Sequence, residues 1–245
     1  MEKTRPFPLR TIGILGGMSD QATAEYYRLI NHAVNQRLGG WDIAETVIVG
    51  VNFGNIEHYI RHELWTEAGD YLSEKAQRAE RAGADLLLCA SNTMHCVSDR
   101  ITEKIKIPFL HIADPTGEAI RRADLARNGL TKIALLGTKP TMSMTCLRDY
   151  YQEKHGLQIV VPNETDQQRL HQIIFDELVR GLARPESKAF YLEVCERLRQ
   201  QGARGLILGC TEIFLLLSQQ DMPDFPMFNT TALHVEAAVE AGLKP

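Results

Sequence analysis

Short apolar runs alternate with longer amphipathic stretches along the whole chain. The runs are bounded by glycine or polar residues and have the length of buried strands, whereas the stretches between them repeat their apolar positions with the period of a helix. The predicted strands span 10–15, 46–52, 86–90, 109–112, 132–136, 158–161, 205–209 and 226–228. The predicted helices span 22–37, 65–81, 116–127, 142–154, 166–180 and 186–201. This alternation predicts an α/β fold with mainly parallel sheets flanked by helices.

The sequence repeats itself weakly with a spacing of about 120 residues, which suits a duplicated domain rather than a solenoid. Ile-Gly-Ile-Leu-Gly at 12–16 corresponds to Ile-Ala-Leu-Leu-Gly at 133–137, and the Gly-Ala pair at 83–84 corresponds to the Gly-Ala pair at 202–203. The repeat predicts two similar lobes. We assign 1–115 with 225–245 to the first lobe and 116–224 to the second.

Composition and charge narrow the class of protein. The 245 residues are 44% hydrophobic and 24% charged, as in an ordinary globular chain, and the formal net charge is -4. Lys and Arg are scattered rather than clustered, so no basic surface is predicted for nucleic acid. No stretch approaches the roughly 20 apolar residues that a membrane helix needs. We therefore expect a cytoplasmic protein with a small-molecule partner, and neither nucleic acid nor a membrane as partner.

The five cysteines are odd in number and lack the paired spacing of a zinc site, which predicts free thiols and no metal. Cys210 stands in a Gly-Cys-Thr turn and is the candidate for nucleophile or base chemistry. Such a turn before a helix would lower the pKa of the thiol. A buried structural thiol is the alternative.

Polar turns follow the predicted strands, and ligands of parallel sheets bind at the carboxyl ends of strands. The first turn, Gly-Gly-Met-Ser at 16–19, lacks the glycine spacing of a nucleotide fingerprint, so backbone amides near Met18 are expected to bind a small carboxylate. Simple turn geometry is the alternative. A second turn holds Ser91, Asn92, Thr93 and His95. Helix capping explains one or two of these side chains, and His95 is either a charge partner of the substrate or scaffold.

Four segments in order give the chain a resemblance to a known family. They are Gly-Ile-Leu-Gly-Gly-Met at 13–18, Asn-Thr-Met-His at 92–95, Leu-Gly-Thr at 136–138 and Leu-Gly-Cys-Thr-Glu-Ile at 208–213. Together they resemble the cofactor-independent aspartate/glutamate racemases from about residue 11 to about residue 238. The resemblance implies two lobes related by pseudo-twofold symmetry with the site between them, no pyridoxal phosphate or metal, and a homodimer.

The same resemblance assigns the chemistry, because that family uses two cysteines on opposite faces of the α-carbon. It makes Cys210 the acid/base of the second lobe. The family's first motif, taken as Cys-Thr-Asn-Thr, falls on 90–93 and puts Ala90 where the first catalytic cysteine belongs, which implies an impaired or substrate-trapping racemase. The residues expected to bind substrate are Met18, Asn52, Ser91, Asn92, Thr93, Thr138, Thr211 and Glu212.

Three functions remain open at the level of sequence. The first is an amino-acid racemase acting on aspartate, glutamate or a related amino acid. The second is a decarboxylating lyase of the same superfamily, for which one cysteine suffices. The third is a non-catalytic amino-acid binder. Asn52 and Asn229 stand where acidic-substrate relatives often carry Asp, which leaves the preferred side chain open.

Overall fold

The computed structural model describes residues 9–123 and 132–244, which form two compact units. The first unit comprises residues 9–90, 97–111 and 234–244 of the described chain, and the second comprises 91–96, 112–123 and 132–233. Each unit contains one four-stranded parallel sheet with helices packed against it. The predicted α/β class and the pair of similar lobes are confirmed.

The first sheet has the strand order β2-β1-β3-β4. Its strands are β1 (Ile12–Gly16), β2 (Thr46–Gly50), β3 (Leu86–Cys89) and β4 (Phe109–Leu110). Every residue of β1 and β3 is buried, because helices cover both faces of the central strands. The edge strand β2 is only partly buried, and Ile48 is 43% exposed on it.

The second sheet has the matching order β6-β5-β7-β8. Its strands are β5 (Lys132–Gly137), β6 (Gln158–Val160), β7 (Leu206–Gly209) and β8 (Met227–Asn229). The two faces of β7 pack into different apolar clusters: Leu206 and Leu208 belong to one, and Ile207 belongs to the other. The predicted strands thus agree with the observed ones to within two residues at each end.

Helices connect the strands in the crossovers that parallel pairing requires. Their bounds are α1 (Asp20–Leu38), α2 (Phe53–Arg61), α3 (Trp65–Arg81), α4 (Ser98–Thr102), α5 (Ala113–Arg122), α6 (Lys139–Ser143), α7 (Cys146–His155), α8 (Glu164–Asp176), α9 (Pro185–Gln200) and α10 (Thr230–Gly242). The predicted helix 142–154 is interrupted, because Met144 adopts an extended backbone between α6 and α7. The last four residues of the predicted helix 116–127 lie outside the described residues.

The boundaries of the units differ from those predicted. Leu206 of β7 pairs with Met227 of β8, which brings the segment after residue 224 into the second sheet. Ala113 packs into an apolar cluster of the same unit. The turn at 91–96 also belongs to the second unit, because the Thr93 hydroxyl hydrogen-bonds to that of Thr141.

In the described part of the chain, no helix combines the length and the apolar character needed to cross a membrane.

Candidate active site

The register of the two sheets identifies which residues are equivalent at the ends of their strands. Leu15 of β1 pairs with Cys89 of β3, so Gly16 stands level with Ala90, whose N–H donates to the Leu15 carbonyl over 3.0 Å. In the second sheet, Gly137 of β5 pairs with Gly209 of β7. Because Gly16 and Gly137 are equivalent in the repeat, Ala90 corresponds to Gly209. Ser91 therefore corresponds to Cys210.

Ala90 is a core residue and not the counterpart of Cys210. Its side chain is 2% exposed and belongs to an apolar cluster that includes Ile14, Tyr26 and Val235. Side chains alternate between the faces of a strand, so Leu88 and Ala90 share a face and the next residue points the other way. The register therefore differs by one residue from the motif alignment that predicted Ala90 as the first catalytic position. Ser91, a hydroxyl-bearing residue, stands level with Cys210.

Cys210 lies beside an acidic group. Its thiol donates to Oε2 of Glu212 with 3.0 Å between the heavy atoms, and the Thr211 hydroxyl donates to the same oxygen. Burial first, and then the negative charge of Glu212, raise the pKa of the Cys210 thiol well above its usual value. The predicted lowering of this pKa by a helix N-terminus is wrong, since only a three-residue 3-10 turn (Ile213–Leu215) follows. Cys210 is a thiol, not a thiolate, at neutral pH.

Three threonine hydroxyls form a triangle next to Ser91. Oγ1 of Thr93 lies 3.1 Å from Oγ1 of Thr138 and 2.8 Å from Oγ1 of Thr141, and the last two lie 2.9 Å apart. Thr138 is also the N-cap of α6, and its hydroxyl accepts from the Thr141 N–H. Hydroxyl protons can rotate toward an incoming carboxylate, so the triangle is a group of donors that is already assembled. Thr141 was not predicted as a site residue. It stands three residues after the N-cap Thr138, a position from which a side chain often hydrogen-bonds back to the N-cap residue.

Asn92 is held by a threonine outside this triangle, Thr230. Its Nδ2 donates to Oγ1 of Thr230 over 3.0 Å, and Thr230 donates in turn to the Leu208 carbonyl over 2.9 Å. Asn92 is 5% exposed and Thr230 is fully buried. Thr230 was not predicted as a site residue, although it directly follows the last residue of β8 and so obeys the rule that polar residues collect at strand ends.

His95 is hydrogen-bonded to the backbone through both ring nitrogens. Its Nδ1 lies 2.7 Å from the Ser91 carbonyl oxygen, and its Nε2 accepts from the Ile112 N–H over 3.2 Å. A carbonyl can only accept and a backbone N–H can only donate, so the ring carries its proton on Nδ1 and is neutral. These two contacts favour the scaffold alternative for His95. The ring shapes the turn that presents Ser91.

In the first unit, the glycine turn after β1 is shaped by close backbone packing. A Cβ on Gly17, whose φ is +85°, would lie 2.3 Å from the Val51 carbonyl oxygen. The Gly17 N–H donates to the Thr23 hydroxyl over 2.8 Å, so this amide is not the one offered to a carboxylate. Met18 is nearly buried at 9% exposed, and Ser19 caps α1 by accepting from the Ala22 N–H.

The two asparagines that bear on specificity are both helix caps. Oδ1 of Asn52 accepts from the Gly54 N–H at the start of α2, over 3.0 Å. Oδ1 of Asn229 accepts from the Ala232 N–H at the start of α10, over 3.1 Å. Asp caps a helix as well as Asn does, so these contacts do not distinguish acidic from other substrates.

Cys96 and Cys146 form a disulfide with 5.5 Å between their Cα atoms, contrary to the prediction of free thiols for both. The bond joins the turn that follows Thr93 to the first residue of α7. Cys89 and Cys195 are buried and form no disulfide. Burial raises the pKa of Cys195 to about 12, so this thiol is inert. Among residues 9–123 and 132–244, no three His, Cys, Asp or Glu side chains are grouped to hold a metal ion.

Comparison with known proteins gives matches over almost the full chain. Residues 15–238 match the family described as Asp/Glu/Hydantoin racemase. The broad specificity amino-acid racemase RacX of Bacillus subtilis (strain 168) is 22% identical over 240 residues, 95% of this chain and 98% of RacX. A crystal structure from Yersinia pestis, provisionally assigned as an Asp/Glu racemase, has 38% identity and a TM-score of 0.86, covering 96% of this chain and 100% of the other. An aspartate racemase homologue from Pyrococcus horikoshii OT3 has 30% identity and a TM-score of 0.81, with 96% and 100% covered.

Proposed function

Because the chain belongs to the Asp/Glu/hydantoin racemase family, we propose that it is an amino-acid racemase in which Cys210 and Ser91 are the two proton-transfer groups. The observation that carries the proposal is the equivalence of Ser91 and Cys210 in the register of the two sheets. A racemase needs one group on each face of the α-carbon, one to remove the proton and one to return it. Here one group is a thiol and the other a hydroxyl.

Glu212 takes part in the step at Cys210. The α-proton of an amino acid is a very weak acid, so the abstracting group must be a thiolate. The Glu212 carboxylate is 3.0 Å from Sγ and accepts the thiol proton, after which the thiolate removes the α-proton. The transfer leaves a carbanion with its charge spread onto the carboxylate. When the reaction returns a proton at the same face, Cys210 is the acid.

Hydroxyl donors stabilise the charge that develops on the substrate carboxylate. The triangle of Thr93, Thr138 and Thr141 supplies O–H groups that need only rotate. Donors that are in place before the reaction stabilise the carbanion more than solvent does, because no reorganisation is needed.

The second proton transfer belongs to Ser91. Its hydroxyl oxygen accepts a long hydrogen bond of 3.4 Å from the Met94 N–H, which engages a lone pair and not the hydroxyl proton. The Ser91 hydroxyl delivers its proton to the other face of the carbanion, and the resulting alkoxide regains one from water. The proton held by Glu212 then neutralises the hydroxide that this leaves, which restores the Glu212 carboxylate. A hydroxyl is a far weaker acid than a thiol, so inversion is slower than exchange at the Cys210 face.

Aspartate, glutamate and related amino acids are the proposed substrates. The relatives favour this range, because one is an aspartate racemase homologue and another is an amino-acid racemase of broad specificity. We take the L enantiomer as the one whose α-hydrogen faces Cys210, following the family resemblance.

Incubation of L-aspartate and L-glutamate with the protein in deuterated water tests the proposal. We expect deuterium to enter the α-position with retention faster than the D enantiomer accumulates, and Cys210→Ala to abolish both. Release of carbon dioxide would instead identify a decarboxylating lyase, for which the Cys210 thiol alone could protonate the carbanion. Binding without exchange would identify an amino-acid binder.

We also propose that the protein is a homodimer. Trp41, Ile43 and Ile48 are large apolar side chains that are 97%, 52% and 43% exposed on or just before the edge strand β2. An edge strand with exposed apolar residues is a surface that proteins cover. Analytical ultracentrifugation should show a dimer, and Ile48→Lys should shift the equilibrium toward monomer. The rate of α-proton exchange is then compared between the monomeric variant and the dimeric wild type.

A further inference from the structure

Thr230 fixes which way the Asn92 carboxamide is turned. The Thr230 hydroxyl has one proton, and the 2.9 Å contact with the Leu208 carbonyl uses it, because a carbonyl cannot donate. Toward Asn92, 3.0 Å away, the same oxygen can therefore only accept. The group of Asn92 that faces Thr230 must be the NH2 group, and the oxygen must point elsewhere. Hydrogen-bond chemistry alone gives this orientation.

This orientation leaves the Asn92 carboxamide oxygen buried and without a hydrogen-bond donor among the described residues. Oδ1 of Asn92 is buried and has no hydrogen-bond partner among the described residues. An unpaired buried acceptor is rarely retained in a protein interior, because its desolvation is not compensated. Asn92 lies between Ser91 and Thr93, within the proposed site. A bound ligand with an N–H group would provide the missing partner.

We propose that Thr230 is a positioning residue, which holds Asn92 so that its carboxamide oxygen accepts a hydrogen bond from the α-ammonium group of the substrate. The inference rests on the proposed function, because it assigns a specificity role within the same site. If Thr230 could not accept from Asn92, the carboxamide could turn over and present NH2 to the ammonium group. Two donors would then face each other, and the preference for an amino acid would be lost.

Two neighbouring threonines provide a matched pair of variants. Thr230→Val keeps the shape of the side chain and removes the hydroxyl, whereas Thr230→Ser keeps the hydroxyl. Thr231→Val is the control, because the Thr231 hydroxyl is equally buried but makes no hydrogen bond among the described residues. The probes are L-aspartate and succinate, which lacks the α-ammonium group, and the measurement is the dissociation constant of each by calorimetry.

We expect the wild type, Thr230→Ser and Thr231→Val to bind L-aspartate more tightly than succinate. In Thr230→Val, binding of L-aspartate should weaken about tenfold, as expected for a lost charge-assisted hydrogen bond, while binding of succinate stays within about twofold. If Thr230→Val loses melting temperature but keeps the wild-type preference for L-aspartate over succinate, Thr230 is merely structural and the proposal is overturned.

A second readout does not depend on substrate. The Asn92 side-chain NH2 signal in nuclear magnetic resonance, assigned with Asn92→Asp, should be protected from solvent exchange in the wild type and Thr230→Ser but not in Thr230→Val. Protection that survives in Thr230→Val would overturn the orientation argument. If no variant binds L-aspartate while protection follows the hydroxyl at 230, the substrate assignment of the proposed function has failed and the positioning of Asn92 stands.

Discussion

The Cys210 thiol donates to the Glu212 carboxylate, with 3.0 Å between Sγ and Oε2. This contact and the burial of the thiol together raise its pKa. We predict that alkylation of Cys210 by iodoacetamide, followed by mass spectrometry, still accelerates above pH 9 in the wild type. Glu212→Gln removes the negative charge, so alkylation at pH 8 should become faster by about threefold or more, where a full pKa unit would give about tenfold.

The same variant separates two roles of Glu212. Gln cannot take the thiol proton, so α-proton exchange should fall in Glu212→Gln even though the thiolate forms more readily. Parallel increases in alkylation and exchange would show that Glu212 only raises the pKa and takes no part in proton transfer.

Ser91 and Ala90 should respond oppositely to a new thiol. Ser91→Cys places a stronger acid at the position equivalent to Cys210, and we expect racemisation of L-aspartate to rise about tenfold or more. Ala90→Cys adds a sulfur atom to a packed cluster, and we expect it to lower the free energy of unfolding by about 1–3 kcal/mol without faster racemisation. Chiral chromatography and urea denaturation provide the two measurements. A gain in Ala90→Cys alone would restore Ala90 as the first catalytic position.

The sequence predicts the strands well because their apolar runs are short, bounded by glycine and buried on both faces. It predicts the site less well, because a register cannot be read from one motif. The Gly-Ala pairs at 83–84 and 202–203 already align Ser91 with Cys210, yet the motif alignment pointed to Ala90. A one-residue shift moves a side chain to the opposite face, and the observed strand pairing agrees with the alignment from the Gly-Ala pairs.

Contacts between residues far apart in sequence explain the remaining differences. Thr230 lies 138 residues from Asn92, and no local pattern connects them. The pairing of Cys96 with Cys146 spans 50 residues, and an odd number of cysteines gives no connectivity. The pKa of Cys210 depends on burial that the turn sequence alone does not reveal.

The disulfide gives a prediction about stability. In the oxidised protein, alkylation under denaturing conditions should modify the three cysteines outside the disulfide, and reduction by a dithiol should raise the number to five. Opening a loop of this length should lower the free energy of unfolding by about 2–4 kcal/mol and Tm by about 5–15 °C. Cys96→Ser with Cys146→Ser should match the reduced wild type, whereas Cys195→Ala should keep the response to reduction. Five modified cysteines before reduction would contradict the bond.

His95 gives the last prediction, because its two ring nitrogens are both used by the backbone. His95→Phe keeps a ring but removes the acceptor for the buried Ile112 N–H and the donor to the Ser91 carbonyl. An unpaired buried donor costs about 1–3 kcal/mol, so we expect the free energy of unfolding to fall by about 2–4 kcal/mol, measured by urea denaturation. His32→Phe, at an exposed position of α1, should change it little. The ring nitrogen shifts of wild-type His95 should report a proton on Nδ1 and none on Nε2 across the neutral range. A doubly protonated ring, or a variant that keeps its stability but shifts the pH profile of α-proton exchange, would make His95 a charge partner of the substrate after all.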